Sequence, residues 1–161
     1  MASRVAEVAD ALADAIRTAW GPNAPDAVSR VWFKKINLDP EKPDVLTGRQ
    51  VFVIGGVAER AEVIDRAEQQ RRYTVGVLTC ERYTDAPGDV PDAWIDERVA
   101  FVEQKVFNTL ADPHLDILGG TVVGEVDAVP AIDVPVDREM IQTKRAFWSV
   151  ATFTFLEVVQ S

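Results

Sequence analysis

The sequence predicts an α+β fold, with two amphipathic helices packed on one face of a mostly antiparallel sheet. Three observations carry this. Two stretches repeat apolar residues at helical spacing on one stripe only, several other stretches are rich in β-branched and aromatic residues, and their order reads α-β-β-β-α-β-β. Two amphipathic helices on a mostly antiparallel sheet make an α+β two-layer sandwich. The 161 residues fit a single domain spanning 1–161, with a composition of 47% hydrophobic and 27% charged residues suited to a globular core.

The first helix spans Ser3 to Trp20. Val5, Val8, Leu12 and Ile16 form its stripe and Ala9, Ala15 and Ala19 widen it. Ser3 is placed to cap the start, and Gly21-Pro22 ends the run. A first strand follows at Ala27–Ile36, then an exposed, proline-containing loop, "NLDPEKPDVLTG". "RQVFVIGGVAE" is the second strand, with Gly55-Gly56 marking a bulge or bend. Arg60–Gln70 reads as a long hairpin connection with frayed strand ends, and Arg71–Tyr83 as the third strand. The second helix runs from Asp92, its expected cap, to Leu110, with Ile95, Val99, Val102, Val106 and Leu110 facing the sheet. A glycine-containing strand at Ile117–Val129 and a loop, "PAIDVPVDREMIQTK", lead to the last strand, "RAFWSVATFTFLEVV".

Composition excludes several classes. A net charge of −9 disfavours adhesion to nucleic-acid backbones or acidic membranes. The longest uncharged run, Ala146–Leu156, falls well short of the roughly 20 apolar residues of a membrane helix. The charged N-terminal segment has no signal-peptide block, which points to folding in a cytoplasm. With one Cys and one His, a zinc site from the usual ligands is not expected. Asp85, Asp89, Asp92, Asp96 and Glu97 match no calcium-loop spacing and suit a helix start instead, so no metal is expected. Gly55-Gly56 and Gly119-Gly120 lack the lysine and spacing of a phosphate loop. Cys80 reads as a small buried hydrophobe and His114 as a surface residue at a helix end. Trp32, Phe33, Tyr73 and Tyr83 lack the basic groove of a base-stacking platform and read as core or interface. The expectation is a protein with no catalytic residues and no cofactor.

What remains is surface. On the last strand, Phe147, Ala151, Phe153 and Phe155 share one face, while Trp148, Val150 and Leu156 point the other way. The second strand repeats this, with Phe52 and Ile54 opposite Val51 and Val53. Two helices shield one sheet face and not both. At roughly 25 cal/mol per Å², a wet patch of several hundred Å² forgoes many kcal/mol, so something covers it. Either the loops Asn37–Gly48 and Pro130–Lys144 fold over it, or Trp148, Val150, Leu156, Phe52 and Ile54 form a subunit interface, the reading preferred here.

The order of "VADALADAIRTAW", "VFVIGG", "YTVGVLTCERY", "IDERVAFVEQKVFNTL" and "FWSVATFTFLEV" resembles the tail-terminator (tail-completion) proteins of long-tailed bacteriophages, over essentially the whole chain. The resemblance implies a small α+β subunit of a homomeric ring, commonly a hexamer. Such a ring caps the finished tail tube, stops its polymerisation and offers the surface that joins the head, while DNA passes through its channel. The implied partners are further copies of the chain, the tail-tube protein and a head-completion or neck protein. The implied location is the head-proximal end of the virion tail, after assembly in the host cytoplasm. Phe147, Ser149, Thr152 and Thr154 match the family's last-strand pattern, whereas Trp148 and Leu156 are more apolar than in relatives. The loops Asn37–Gly48 and Ala58–Gln69 match in position, where contacts with tube or neck are expected. A head-completion or neck adaptor and a tail-tube subunit are the neighbouring alternatives. A small cytoplasmic α+β enzyme or ligand-binding domain is the alternative of a different class, and predicts a concave pocket with converging polar groups.

Overall fold

The computed structural model describes residues 3–21, 27–32, 35–63, 68–108, 116–117, 122–124, 131–134 and 136–160. The mixed α+β class holds, and the chain order is α-β-β-β-α-β-β-β-α-β. Helix α1 spans Arg4–Trp20, and strands β1, β2 and β3 span Val28–Val31, Gln50–Val63 and Glu68–Arg82. Helix α2, Asp92–Phe101, passes into π-helical turns at Val102–Phe107. Strands β4 (Asp116–Ile117), β5 (Val122–Gly124) and β6 (Ala131–Val134), helix α3 (Arg138–Lys144) and strand β7 (Ala146–Gln160) complete it.

The sheet order is β1-β2-β3-β7-β5-β4, with β6 also paired to β7. Only β1–β2 is parallel among these pairs. β7 is the hub: it pairs with β3 along its whole length, from Arg82↔Ala146 to Glu68↔Gln160. Its other edge receives β6 at Val150–Thr152 and β5 at Phe155–Glu157. The bulge expected at Gly55-Gly56 is present, since the β2–β3 register shifts between Ile54 and Ala58. Gly55 lies under α1, where a Cβ would meet that of Ala9 at 3.4 Å.

Helix α1 forms as its sequence dictates. The Ser3 hydroxyl accepts from the Ala6 amide at 3.3 Å, and Gly21 at φ 113° closes the other end. Val5, Val8, Ala9, Leu12 and Ile16 are buried against Val51, Val53, Tyr73, Val75, Phe153 and Phe155 in the main core. The same core takes Trp94, Phe101, Val102 and Val106 from the second helix, so both helices lie on one sheet face. Ile95 and Val99 are half-buried against it, and Leu110 lies outside the described residues.

Four expectations are corrected. Pro91, not Asp92, is the N-cap of α2, and Asp92 sits in the first turn where its charge meets the helix dipole. The apolar stripe of α2 drifts because the helix widens: with i→i+5 bonding, the neighbours Phe101 and Val102 and then Val106 all stay inward. In place of one strand over Ile117–Val129 there are two short strands, β4 and β5, paired as Asp116↔Val123 and Ile117↔Val122. The segment read as a loop before β7 holds β6 and α3. The Asp137 carboxylate caps α3 by accepting from the Met140 amide at 3.2 Å, and Arg145 ends it in the left-handed region at φ 51°. The Gly119-Gly120 and His114 readings lie outside the described residues.

Candidate interaction surface

The face of the sheet opposite the helices is built in rows set by register. Gln50, Cys80 and Trp148 form one row, and Phe52, Leu78 and Val150 the next. Ile54, Gly76 and Thr152 follow, then Thr74 and Thr154, then Arg72 and Leu156. From Phe147 to Glu157 β7 alternates strictly, with odd positions buried and even positions half-buried.

The chain itself covers the first two rows. Leu46, Phe52, Leu78 and Cys80 form a second buried cluster, against which Val31, Ile36, Leu38, Ile54, Trp148 and Val150 pack. Leu38 and Leu46 come from the Asn37–Gly48 excursion and Ile36 from the residue just before it, and the excursion is held by its own polar side chains. The Asn37 side chain accepts from the Asp39 amide at 2.9 Å and donates to Asp44 at 2.7 Å. The Asp39 carboxylate accepts from the Glu41 amide at 3.0 Å, and the Leu46 amide donates to the Asn37 carbonyl at 2.8 Å. These bonds fold the loop back and press Leu46 onto the sheet.

The expected contact residues therefore divide. Phe52 is 6% exposed, closed off by the chain's own loop, so a neighbour cannot reach it without displacing Leu46. That corrects the expectation that this whole face awaits a second subunit. Trp148, Val150 and Ile54 are half-buried in the same cluster and keep an accessible side. Leu156 is half-buried beyond the loop, at the end of a strip lined by Thr74, Thr152 and Thr154, in which the Thr74 and Thr154 hydroxyls are hydrogen-bonded at 3.2 Å.

The helix-side face carries two polar networks. Arg4, at the start of α1, donates to the Glu157 carboxylate through Nε at 2.8 Å, and the Tyr73 hydroxyl donates to its other oxygen at 2.9 Å. Burial pushes the Glu157 carboxyl upward, but the bonds from Arg4 and Tyr73 and the charges of Arg4 and Arg71 outweigh it and hold it below the usual carboxylate value. Tyr73 is raised, first by burial and then by its bond to Glu157. In the second network Glu81 accepts from Arg49 at 2.8 Å and Arg98 at 2.6 Å, and Glu97 bridges the same two guanidiniums at 2.8 Å each. Arg98 lies over Trp94 and Arg49 over Phe101, at 4.0 and 4.5 Å from the ring centroids. Both networks fasten helix to sheet.

Cys80 is fully buried and its thiol is pushed up to about 12 by burial, with the Glu81 charge adding to this. Among the described residues no group of three or more His, Cys, Asp or Glu side chains is placed to hold a metal ion. No helix among them is long and apolar enough to cross a membrane. Tyr73 and Tyr83 are core residues, while Trp32 is exposed, and Phe33 lies outside the described residues.

Sequence reasoning missed a groove of about 630 Å³ between the loop after β3, the start of α2, and α3. Val90, Ile95, Val136 and Ile141 give it apolar walls, and Asp89, Asp92, Arg138 and Gln142 line it with polar groups. The Asp137 cap followed by Glu139 and the terminal Lys144 was the signal for its α3 wall. The fold and surface define a mixed α+β protein with a half-covered outer sheet face. Compared with known proteins, the chain matches no family model and no curated protein at significant similarity.

Proposed function

We propose that this protein is a non-enzymatic virion structural protein, a phage tail terminator. It assembles as a homomeric ring, a hexamer in the commonest arrangement, that caps the tail tube, stops its polymerisation and presents the surface for head joining. The observation that carries this reading is the outer face of the sheet. The chain's own loop shields Phe52 and Leu78, yet the strip from Ile54 through Thr152 and Thr154 to Leu156 stays partly open on the β2-β3-β7 centre. A partly apolar strip on the best-paired strands suits a repeated subunit contact. The resemblance of the whole chain to tail terminators supports the same reading. The net charge of −9 suits a channel along which DNA slides without sticking.

Light scattering and negative-stain microscopy test it, on the protein alone and mixed with tail-tube subunits. Single rings of uniform diameter, or a halt in tube growth, are expected. Strictly monomeric protein that leaves tube growth unchanged would overturn the reading, and long stacked tubes of this chain alone would make it a tube subunit. A second reading, a small-ligand-binding domain, is favoured by the groove between α2 and α3, whose size and mixed lining suit a small molecule.

A further inference from the structure

Arg145 ends α3 in an unusual way. At φ 51° it is the non-glycine residue with positive φ among the described residues, at a helix stop that glycine would make with less strain. Its guanidinium lies over the Tyr83 ring, 5.1 Å from the centroid, and donates to the Ala86 carbonyl. The residue is half-buried, its Nε is buried with no hydrogen-bond partner among the described residues, and no carboxylate there pairs with it. A half-buried cation without a counter-charge carries a desolvation cost that an anion from a ligand would offset.

This cation lines the groove of about 630 Å³, together with Arg138 of α3. Arg138 is exposed and likewise has no ion-pair partner among the described residues. The acids of the groove come from other elements, Asp89 from the loop after β3 and Asp92 from the first turn of α2. Both are exposed, and neither pairs with an arginine. The groove therefore holds two cations and two anions that do not neutralise one another directly. Val90, Ile95, Val136 and Ile141 add half-buried apolar walls.

We infer that this groove binds a small zwitterion with an apolar body, a short unblocked peptide, its terminal carboxylate on Arg138 and Arg145 and its terminal ammonium on Asp89 and Asp92. This deepens the small-ligand reading of the groove and rests on it; the ring reading does not depend on it. A simple anion would be drawn by the arginines and repelled by the aspartates, and a simple cation the reverse. A ligand charged at both ends satisfies both sets. Planar guanidiniums suit a carboxylate, and capture of a free peptide end is a recurring mode of recognition. The apolar walls take the side chains, and the Gln142 amide offers a donor and an acceptor to a peptide group. The volume lies within the range of pockets that enclose small molecules.

Isothermal titration calorimetry of the full chain tests this with trileucine, beside trileucine acetylated at its amine or amidated at its carboxylate. Free trileucine is expected to bind, and blocking either end to weaken binding about tenfold. Arg138→Gln should weaken the free peptide about tenfold and erase the penalty of amidation, while leaving that of acetylation. Asp92→Asn should do the converse. Both residues are exposed, so the variants should fold, which urea unfolding checks. Free and blocked peptides that bind equally well would overturn the zwitterion and leave the small-ligand reading standing. End preferences that neither substitution changes would put the site elsewhere and overturn the inference. No binding by any of the three forms overturns both the inference and the small-ligand reading, without touching the ring reading.

Discussion

Glu157 shows how a single buried carboxylate is made tolerable. It follows Phe153 and Phe155 on the core face of β7 and is 6% exposed. Arg4 and Tyr73 supply charge-assisted bonds that offset its desolvation. Glu157→Gln keeps the shape but loses the charge, and is expected to cost about 1–3 kcal/mol near neutral pH, read from urea unfolding. Because the folded carboxyl titrates below its ordinary value, the wild type holds this advantage above the unfolded pKa of about 4.3 and loses it as pH falls through the folded value. The gap between the two proteins should therefore close in acid; a gap independent of pH would refute the ionised pairing. Ser149 is the opposite case: 1% exposed, with a hydroxyl that has no hydrogen-bond partner among the described residues. Ser149→Ala removes an uncompensated polar group and is expected to stabilise by about 1 kcal/mol in the same measurement.

Among the elements, the Asn37–Gly48 loop changes most how the molecule presents itself. Its Asn37 and Asp39 turns hold Leu46 over Phe52, Leu78 and Cys80. Leu46→Ala should cost about 2–4 kcal/mol, and should also speed amide exchange at Leu78 and Cys80, since the cover and not the main core is loosened. A loss of stability with exchange raised equally across α1 would instead mean that the loop has no local role. The second helix shows a different compromise. Its polar outer side is tied to the sheet by the Arg49–Glu81–Arg98–Glu97 ring, while π-helical turns rotate Phe101, Val102 and Val106 inward.

For the whole molecule, the outer face is divided between self-cover and exposure. The open strip ends at Leu156, half-buried and outside the loop-covered cluster. Leu156→Asp is expected to leave monomer stability within about 1 kcal/mol, by urea midpoint, while weakening self-association at least about tenfold by light scattering. Unchanged assembly would remove this strip from the subunit contact. Raising salt should strengthen association if repulsion between copies of net charge −9 opposes it.

Local physics was enough for the sequence to determine much of this by itself. The Ser3 cap and Gly21 stop of α1, the bulge at Gly55-Gly56 and the two-faced alternation of β7 all follow from side-chain period and backbone freedom. The buried, inert Cys80 was legible for the same reason. Tertiary structure alone decided what covers the second face, because whether a polar loop stands away or folds down turns on contacts far apart in sequence, such as Leu46 in one cluster with Leu78 and Trp148. It likewise decided that Phe52 is closed while Leu156 stays half-open, and that a groove forms beside α3. Periodicity says which side a residue faces; only packing says what it meets there.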